Sequence, residues 1–218
     1  MRSHLASLSK FILCLWAVLL VYNTLLPPIS TLMMARVFTF RHVERQYVPL
    51  KRISPHLVRA VIAAEDGKFC EHHGVDWKAM HAVVEDVVTE DDASHGGSTI
   101  TMQTAKNLFL WMGFSYARKP VEVPFALFID AVWSKRLIME NYLNVAEFGR
   151  GVFGAEAAAR HYFHKSAYSL TPREAALLAA VLPSPNRRKA NRPTPFVSRY
   201  AASISARAGG IASSCVRK

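Results

Sequence analysis

The sequence predicts a mainly α-helical domain preceded by one membrane-spanning helix. Three observations point there. Helix caps recur at Ser54-Pro55, Asp76, Ser98-Thr99, Ser134 and Thr171-Pro172, with apolar residues at helical spacing behind them. Strand-like alternation is scarce, and no Gly/Val-rich βαβ pattern occurs. An apolar run near the N-terminus lies between Lys10 and Pro27-Pro28, with no charge between Lys10 and Arg36.

Composition narrows the function. Of 218 residues, 51% are hydrophobic and 20% charged, enough apolar chain for a real core and too much for disorder. The net charge of +11 points to an anionic partner: nucleic acid, membrane lipid or a phosphate-bearing substrate. No basic-aromatic recognition module is present, so nucleic acid is set aside. No fixed-period repeat occurs, which argues against a solenoid. The cysteines, Cys14, Cys70 and Cys215, do not suggest a disulfide framework, and Cys70 reads as an oxidation-sensitive thiol. Neither CxxC nor HExxH occurs, and His72, His73 and His81 lack zinc spacing, so no metal ligand is assigned.

The elements follow in order. Residues 1–10 read as a cytoplasmic N-terminus and 11–28 as the anchor, close to the roughly 20 residues a spanning helix needs. No A-x-A cleavage site follows, and Arg2 and Lys10 keep the N-terminus inside and the domain outside. Residues 29–40 stay apolar and fit a juxtamembrane helix as well as they fit core. Residues 41–51 read as polar and extended. The helix capped by Ser54 delivers Glu65, and Gly67 is expected to end it in the left-handed conformation. Asp76 caps a second helix, whose apolar residues (Trp77, Met80, Val83, Val84) mark core, and residues 89–95 form an acidic loop.

Ser98 or Thr99 opens the next helix, whose N-terminus favours negative charge. On it Gln103, Lys106 and Asn107 share a face. Residues 108–114 are greasy enough for core or for contact with lipid. The following helix starts at Pro120 or Pro124, and a second proline four residues into a helix is expected to kink it. Ser134 opens a helix with Glu140 and Asn144 on one side. Ala155–Phe163 suits close packing, and Thr171 and Glu174 form a capping box. The domain is expected over 29–195, with a basic proline-rich loop near its end. Residues 196–218 form a tail with little pattern.

Some of these residues carry chemistry. Glu65, at the end of a buried helix beside His72, is a candidate general base, or else a solvated helix-end charge with Asp66. Gln103, Lys106 and Asn107 suit sugar hydroxyls and phosphate, or form an ordinary polar face. Adjacent Arg118 and Lys119 suit a diphosphate, with Glu122 either facing the same site or neutralising them.

Four stretches agree in order: Glu65-Asp66-x-x-Phe69-x-x-His72-x-Gly74, Gly97-Ser98-Thr99-Ile100-Thr101-x-Gln103, Arg118-Lys119-x-x-Glu122 and Leu137-Ile138-x-Glu140-x-Tyr142-Leu143-Asn144. Over residues 45–195 the chain resembles the peptidoglycan glycosyltransferases of glycosyltransferase family 51. Its length, single anchor and lack of a penicillin-binding module resemble the monofunctional members. The resemblance implies a lysozyme-like α fold and a role in cell wall biogenesis. It implies transfer of the growing lipid-linked glycan from undecaprenyl diphosphate to the 4-hydroxyl of lipid II, with inversion.

By position, Glu65 is then the base, and Glu122 a second acid that assists the diphosphate directly or through a divalent cation, Mg2+ or Mn2+. Asp66, His72, Ser98, Thr99, Gln103, Lys106, Asn107, Arg118 and Lys119 resemble substrate contacts, and Glu140 matches a further family carboxylate, either a substrate contact or a structural group. The implied partners are lipid II, the membrane and other wall-synthesis proteins, and the implied location is the inner membrane with the domain in the periplasm. By analogy with inverting glycosidases, the Glu65 and Glu122 carboxylates should stand on the order of 6.5–9.5 Å or more apart. Met102 departs from the pattern, standing where the family commonly has a first Gln. The rival readings are a lytic, glycan-cleaving enzyme of the same fold and a catalytically silent membrane scaffold.

Overall fold

The computed structural model describes residues 18, 20–88, 97–110 and 115–217. Residues 20–25 are helical, but the anchor expected over 11–28 falls largely outside the described residues. Among those described, no helix is long and apolar enough to cross a membrane. The acidic loop at 89–95 and the greasy residues 111–114 also lie outside them.

The elements run α1 (Thr31–Phe38), β1 (Glu44–Arg45), a 3-10 turn (Leu50–Arg52), α2 (Pro55–Glu65), α3 (Trp77–Val88), α4 (Ile100–Phe109), α5 (Ser115–Val132) and α6 (Lys135–Val145). Then come β2 (Glu147–Gly149), β3 (Val152–Phe153), α7 (Ala155–Phe163), a second 3-10 turn (Ala167–Ser169), α8 (Pro172–Val181), α9 (Pro195–Ala208) and α10 (Ser214–Arg217). The domain is mainly helical, as its caps predict.

Two helix groups position the site. In the first, α2 packs on α8 and on α9. Ser54 caps α2 with Pro55 in its first turn, and Leu57, Val58, Val61 and Ile62 point into the core. Thr171 and Glu174 form the expected capping box of α8, whose residues Ala175 to Val181 are all buried. Helix α9 occupies much of the region expected to be a tail. Thr194 caps it, and Val197, Ala201 and Ile204 form a buried stripe that is intelligible only against α2 and α8.

In the second group, α4 packs on α5 and α6. Thr99, not Ser98, caps α4, accepting from the Met102 amide. Ser134 caps α6 as expected. Helix α5 begins at Ser115 and passes through both Pro120 and Pro124, contrary to a start at either. Both prolines are exposed, and each removes one backbone donor from the helix.

Gly67 does not serve as the left-handed stop. Among the described residues the positive φ in this segment is at Gly74, where a Cβ would meet the Ala126 carbonyl oxygen at 2.7 Å. Helix α2 ends instead on Asp66, and the close approach at Gly74 lets the turn lie flat on α5. Met102 packs there with Val75 and Ala126 in a small apolar cluster, which accounts for an apolar residue at that position.

A small sheet in the order β1-β3-β2 joins the N-terminal segment to the hairpin after α6, with Glu44 opposite Val152 and Glu147 opposite Phe153. Residues 29–40 resolve into a helix: Met33 is buried, while Met34, Val37, Phe38 and Phe40 are exposed. The Thr31 hydroxyl donates to the Leu110 carbonyl at 2.8 Å, tying α1 to the end of α4. Leu108, Phe109 and Leu110 are core.

The reading of Cys70 as a free thiol is overturned. Cys70 and Cys215 form a disulfide across a sequence separation of 145. The bridge depends on α10 docking on α6, a tertiary event that no local cysteine spacing announces.

Candidate active site

Glu65 ends α2, where the first helix group meets the second. One of its oxygens, Oε2, accepts a 2.8 Å hydrogen bond from the Gln103 side-chain amide on α4. The Gln103 carbonyl oxygen in turn accepts from the Tyr142 hydroxyl of α6 at 3.2 Å. That bond fixes which end of the amide faces Glu65. The other oxygen, Oε1, is buried and has no partner among the described residues. Burial pushes the Glu65 carboxyl above its ordinary value; the Gln103 bond and the Lys106 and Arg188 charges oppose this, while Asp66 adds to it. A carboxylate held by one oxygen and open at the other, with raised basicity, is suited to receive a proton.

The cations gather on the opposite side. Arg118 Nε donates to Glu122 Oε1 at 2.6 Å, and Lys119 Nζ lies 3.5 Å from Glu122 Oε2. Glu122 therefore neutralises both, the second of the two arrangements its sequence position allowed. The Lys119 ammonium also donates to the Ser98 hydroxyl, bringing the loop before α4 onto α5. Lys106 is within electrostatic reach of both acids. Burial lowers its pKa, Glu122 and Glu65 raise it, and Arg118 and Lys119 lower it. Asn107 follows on α4, half-buried.

An open cavity of about 440 Å³ lies beside Glu65, lined by Glu65, Asp66, Lys68, Asp76, Lys78, Ser98 and Thr99 among others, with Lys106, Arg118, Lys119 and Glu122 outside that lining. Its size suits a small-molecule or sugar-sized ligand.

Four of the expected substrate contacts are also tied into the frame by hydrogen bonds, Asp66 and Thr99 while lining the cavity. Asp66 is buried; one oxygen accepts from His72 Nε2 at 2.8 Å and the other from the Ile100 amide at 2.9 Å. That carboxylate thus pins both the turn after α2 and the start of α4. Thr99 donates to the Gly74 carbonyl at 2.6 Å while capping α4. Glu140 stands apart, its oxygens accepting from the Tyr47 hydroxyl and the Leu50 amide, both at 2.8 Å. Tyr47 is pushed up to about 12, by burial first and then by Glu140. Asn144 completes this clamp by pairing with both backbone groups of Val48.

Sequence reading missed three residues. Tyr142 passed as one more apolar helix position, although a buried tyrosine hydroxyl usually has a partner. Arg188 and Tyr200 lay in a loop and a presumed tail. The Arg188 guanidinium sits 5.2 Å from the Phe196 ring centre and 5.9 Å from that of Tyr200, close enough to act on Glu65.

The residues do not fit a preformed divalent-cation site. Glu122 is taken by Arg118 and Lys119, and three cations surround the place a metal would occupy. Among the described residues, no group of three His, Cys, Asp or Glu side chains is arranged to hold an ion.

A transglycosylase family model matches residues 33–208, through the end of α9. The chain belongs to the transglycosylase family. It is 52% identical over 182 residues to a biosynthetic peptidoglycan transglycosylase of Rhodopseudomonas palustris, covering 83% of this chain and 80% of that protein. Proteins of the same description from Agrobacterium fabrum (47%, covering 91% of each chain) and Rhodospirillum centenum (48%, covering 95% and 90%) extend the likeness over nearly the full length.

Proposed function

We propose that this chain is a peptidoglycan glycosyltransferase that polymerises glycan chains for cell wall synthesis from lipid II. The observation that supports the reading is the buried Oε1 of Glu65, which has no partner among the described residues, on a carboxyl that lines the cavity and lies within electrostatic reach of Lys106. In the proposed reaction Glu65 takes the proton from the acceptor 4-hydroxyl as that oxygen bonds to C1 of the growing glycan. The C1–oxygen bond to the lipid diphosphate breaks on the opposite face, inverting the centre. The diphosphate leaves with the electron pair, its charge met by Lys106, Arg118 and Lys119.

A diphosphate is already a good leaving group, so charge neutralisation matters more than a proton donor there. A sugar hydroxyl is a poor nucleophile, so a base matters on the other side. Gln103 and Tyr142 orient the base, and Glu122 keeps Arg118 and Lys119 in place. Asp66, His72, Thr99 and Glu140 hold the frame, while Asn107, and Ser98 through a hydroxyl that also accepts from Lys119, are assigned to sugar or phosphate oxygens.

The domain works, in this reading, on the periplasmic side of the inner membrane, held by a single span over residues 11–28 with residues 1–10 in the cytoplasm. A lysozyme-like core spans 29–195, and α9 and α10 in 196–218 brace it. The Cys70–Cys215 bridge supports an oxidising compartment. The test is incubation of the purified protein with labelled lipid II. Growth of polymer is the expected result. Shortening of added glycan without polymer would establish the lytic reading instead, and no reaction on either substrate would establish the scaffold.

A further inference from the structure

A second basic surface lies around the segment before β1 and the turn between β2 and β3, and shares Arg188 with the residues just described. Arg36, Arg41, His42, Arg150 and Asn186 line an open groove of about 630 Å³. A neighbouring cavity shares Arg150 and Asn186 and adds Arg188, Lys189 and Arg192. No acid lines either one. Glu147 takes Arg36 at 2.6 Å and also accepts from the Gly151 amide, leaving Arg36 Nε buried without a partner among the described residues. Arg41 and Arg150 are exposed, with no ion pair among the described residues.

The groove is built by the fold. Gly151 has φ +79°, and a Cβ there would meet the His42 carbonyl oxygen at 2.6 Å. The Glu44 amide donates to the Gly151 carbonyl at 2.8 Å. This contact, possible only with glycine, brings the segment carrying Arg41 and His42 onto the turn carrying Arg150. Immediately before Arg41 the chain exposes Val37 (60%), Phe38 (76%) and Phe40 (99%). Arginines beside exposed aliphatic and aromatic side chains match a molecule that is anionic at one end and apolar at the other.

We propose that this groove binds the phosphate headgroup of an anionic phospholipid, with Val37, Phe38 and Phe40 entering the acyl layer beside it. Arg41 and Arg150 grip the phosphate oxygens. Arg36, fixed by Glu147, forms the floor. The domain is thereby held at a set height and tilt on the bilayer, independently of any spanning segment. The inference rests on the reading that the domain works beside a membrane.

The test reconstitutes the full chain into phosphatidylcholine vesicles carrying a photoreactive phosphatidylglycerol and maps the labelled segments. Labelling is expected at residues 36–45 and 150–153. It is expected to fall about fivefold for each arginine removed in Arg41→Gln/Arg150→Gln, and to be unchanged in Arg173→Gln/Arg199→Gln, which loses the same charge elsewhere. Equal labelling of the two double variants would overturn the proposal. Displacement of the lipid by excess inorganic diphosphate would assign the groove to soluble phosphate and overturn it as well. Polymer formation from lipid II by the same wild-type vesicles is a separate readout; its failure would sink the proposed activity without altering the labelling map.

Discussion

The two sides of the candidate site hold their acids in opposite ways. Glu65 is gripped by an uncharged amide at one oxygen and left open at the other, in surroundings dry enough to raise its basicity. Glu122 is taken at one oxygen by a buried arginine and faced at the other by a lysine. The difference assigns the work. An acid with an open oxygen and an unfavourable charge gains by accepting a proton. An acid held between two cations serves the proposed site by keeping those cations where they are.

The sharpest break in that division is Glu65→Gln. The amide keeps the shape and cannot take a proton, so polymerisation should fall by about 10²–10⁴ while lipid II binding stays within a few-fold. Folding stability should move the other way. A carboxyl whose folded pKa is raised contributes stability that is fully present below its unfolded value, ordinarily 4.5, and lost as pH rises through the folded value. At neutral pH the variant should therefore melt at or above the wild type. Normal polymer yield from Glu65→Gln would end the assignment.

Glu122→Gln should behave differently. It leaves Arg118 buried beside a neutral amide, so stability should drop by roughly 3–5 kcal/mol along with activity, as measured by chemical denaturation. Should Glu122→Gln unfold no more readily than Glu65→Gln, the two sides are not built as described.

Cys215→Ser comes next. The bridge fastens the turn after α2, which carries His72, to α10 on the flank of α6. Its loss should lower stability by about 2–5 kcal/mol. Because Asp66 and His72 belong to the Glu65 side, limited proteolysis of the variant should open that turn before α5.

The smallest effect is expected from Tyr142→Phe. It removes one buried hydrogen bond, about 1 kcal/mol, and frees the Gln103 amide to turn. The donor that draws the Glu65 pKa down is then no longer fixed. The acid limb of the pH–rate profile, already above the ordinary carboxylate range, should move further up. An unmoved limb would mean that Gln103 holds its orientation without Tyr142.

The sequence revealed what is local. Ser54, Asp76, Ser134 and the Thr171–Glu174 box all announce helix starts, because a cap is a contact within one turn. Glu65, Gln103, Lys106, Arg118, Lys119 and Glu122 were legible as a set from their order in the chain, and the fold gathers them on one seam. What stayed hidden is long-range. Thr99 rather than Ser98 caps α4 because Gly74 offers it a carbonyl from another part of the chain. Glu140 looks like a site carboxylate until Tyr47 and Leu50 arrive to use both of its oxygens. Helix α9 shows only a thin apolar stripe, and the disulfide joins cysteines no pattern connects.

The prolines of α5 have a consequence for motion. Pro120 and Pro124 delete two amide rungs four residues apart, on either side of Glu122, in an otherwise continuous helix. The backbone is least cross-braced where the departing lipid diphosphate is proposed to lodge, while Glu65 stands at the end of a helix with a buried face and a pinned exit. In the proposed reaction each transfer leaves a diphosphate on this side and a proton on the other. The proposed proton acceptor thus stands on the braced side and the proposed clamp on the less braced one, within one small domain.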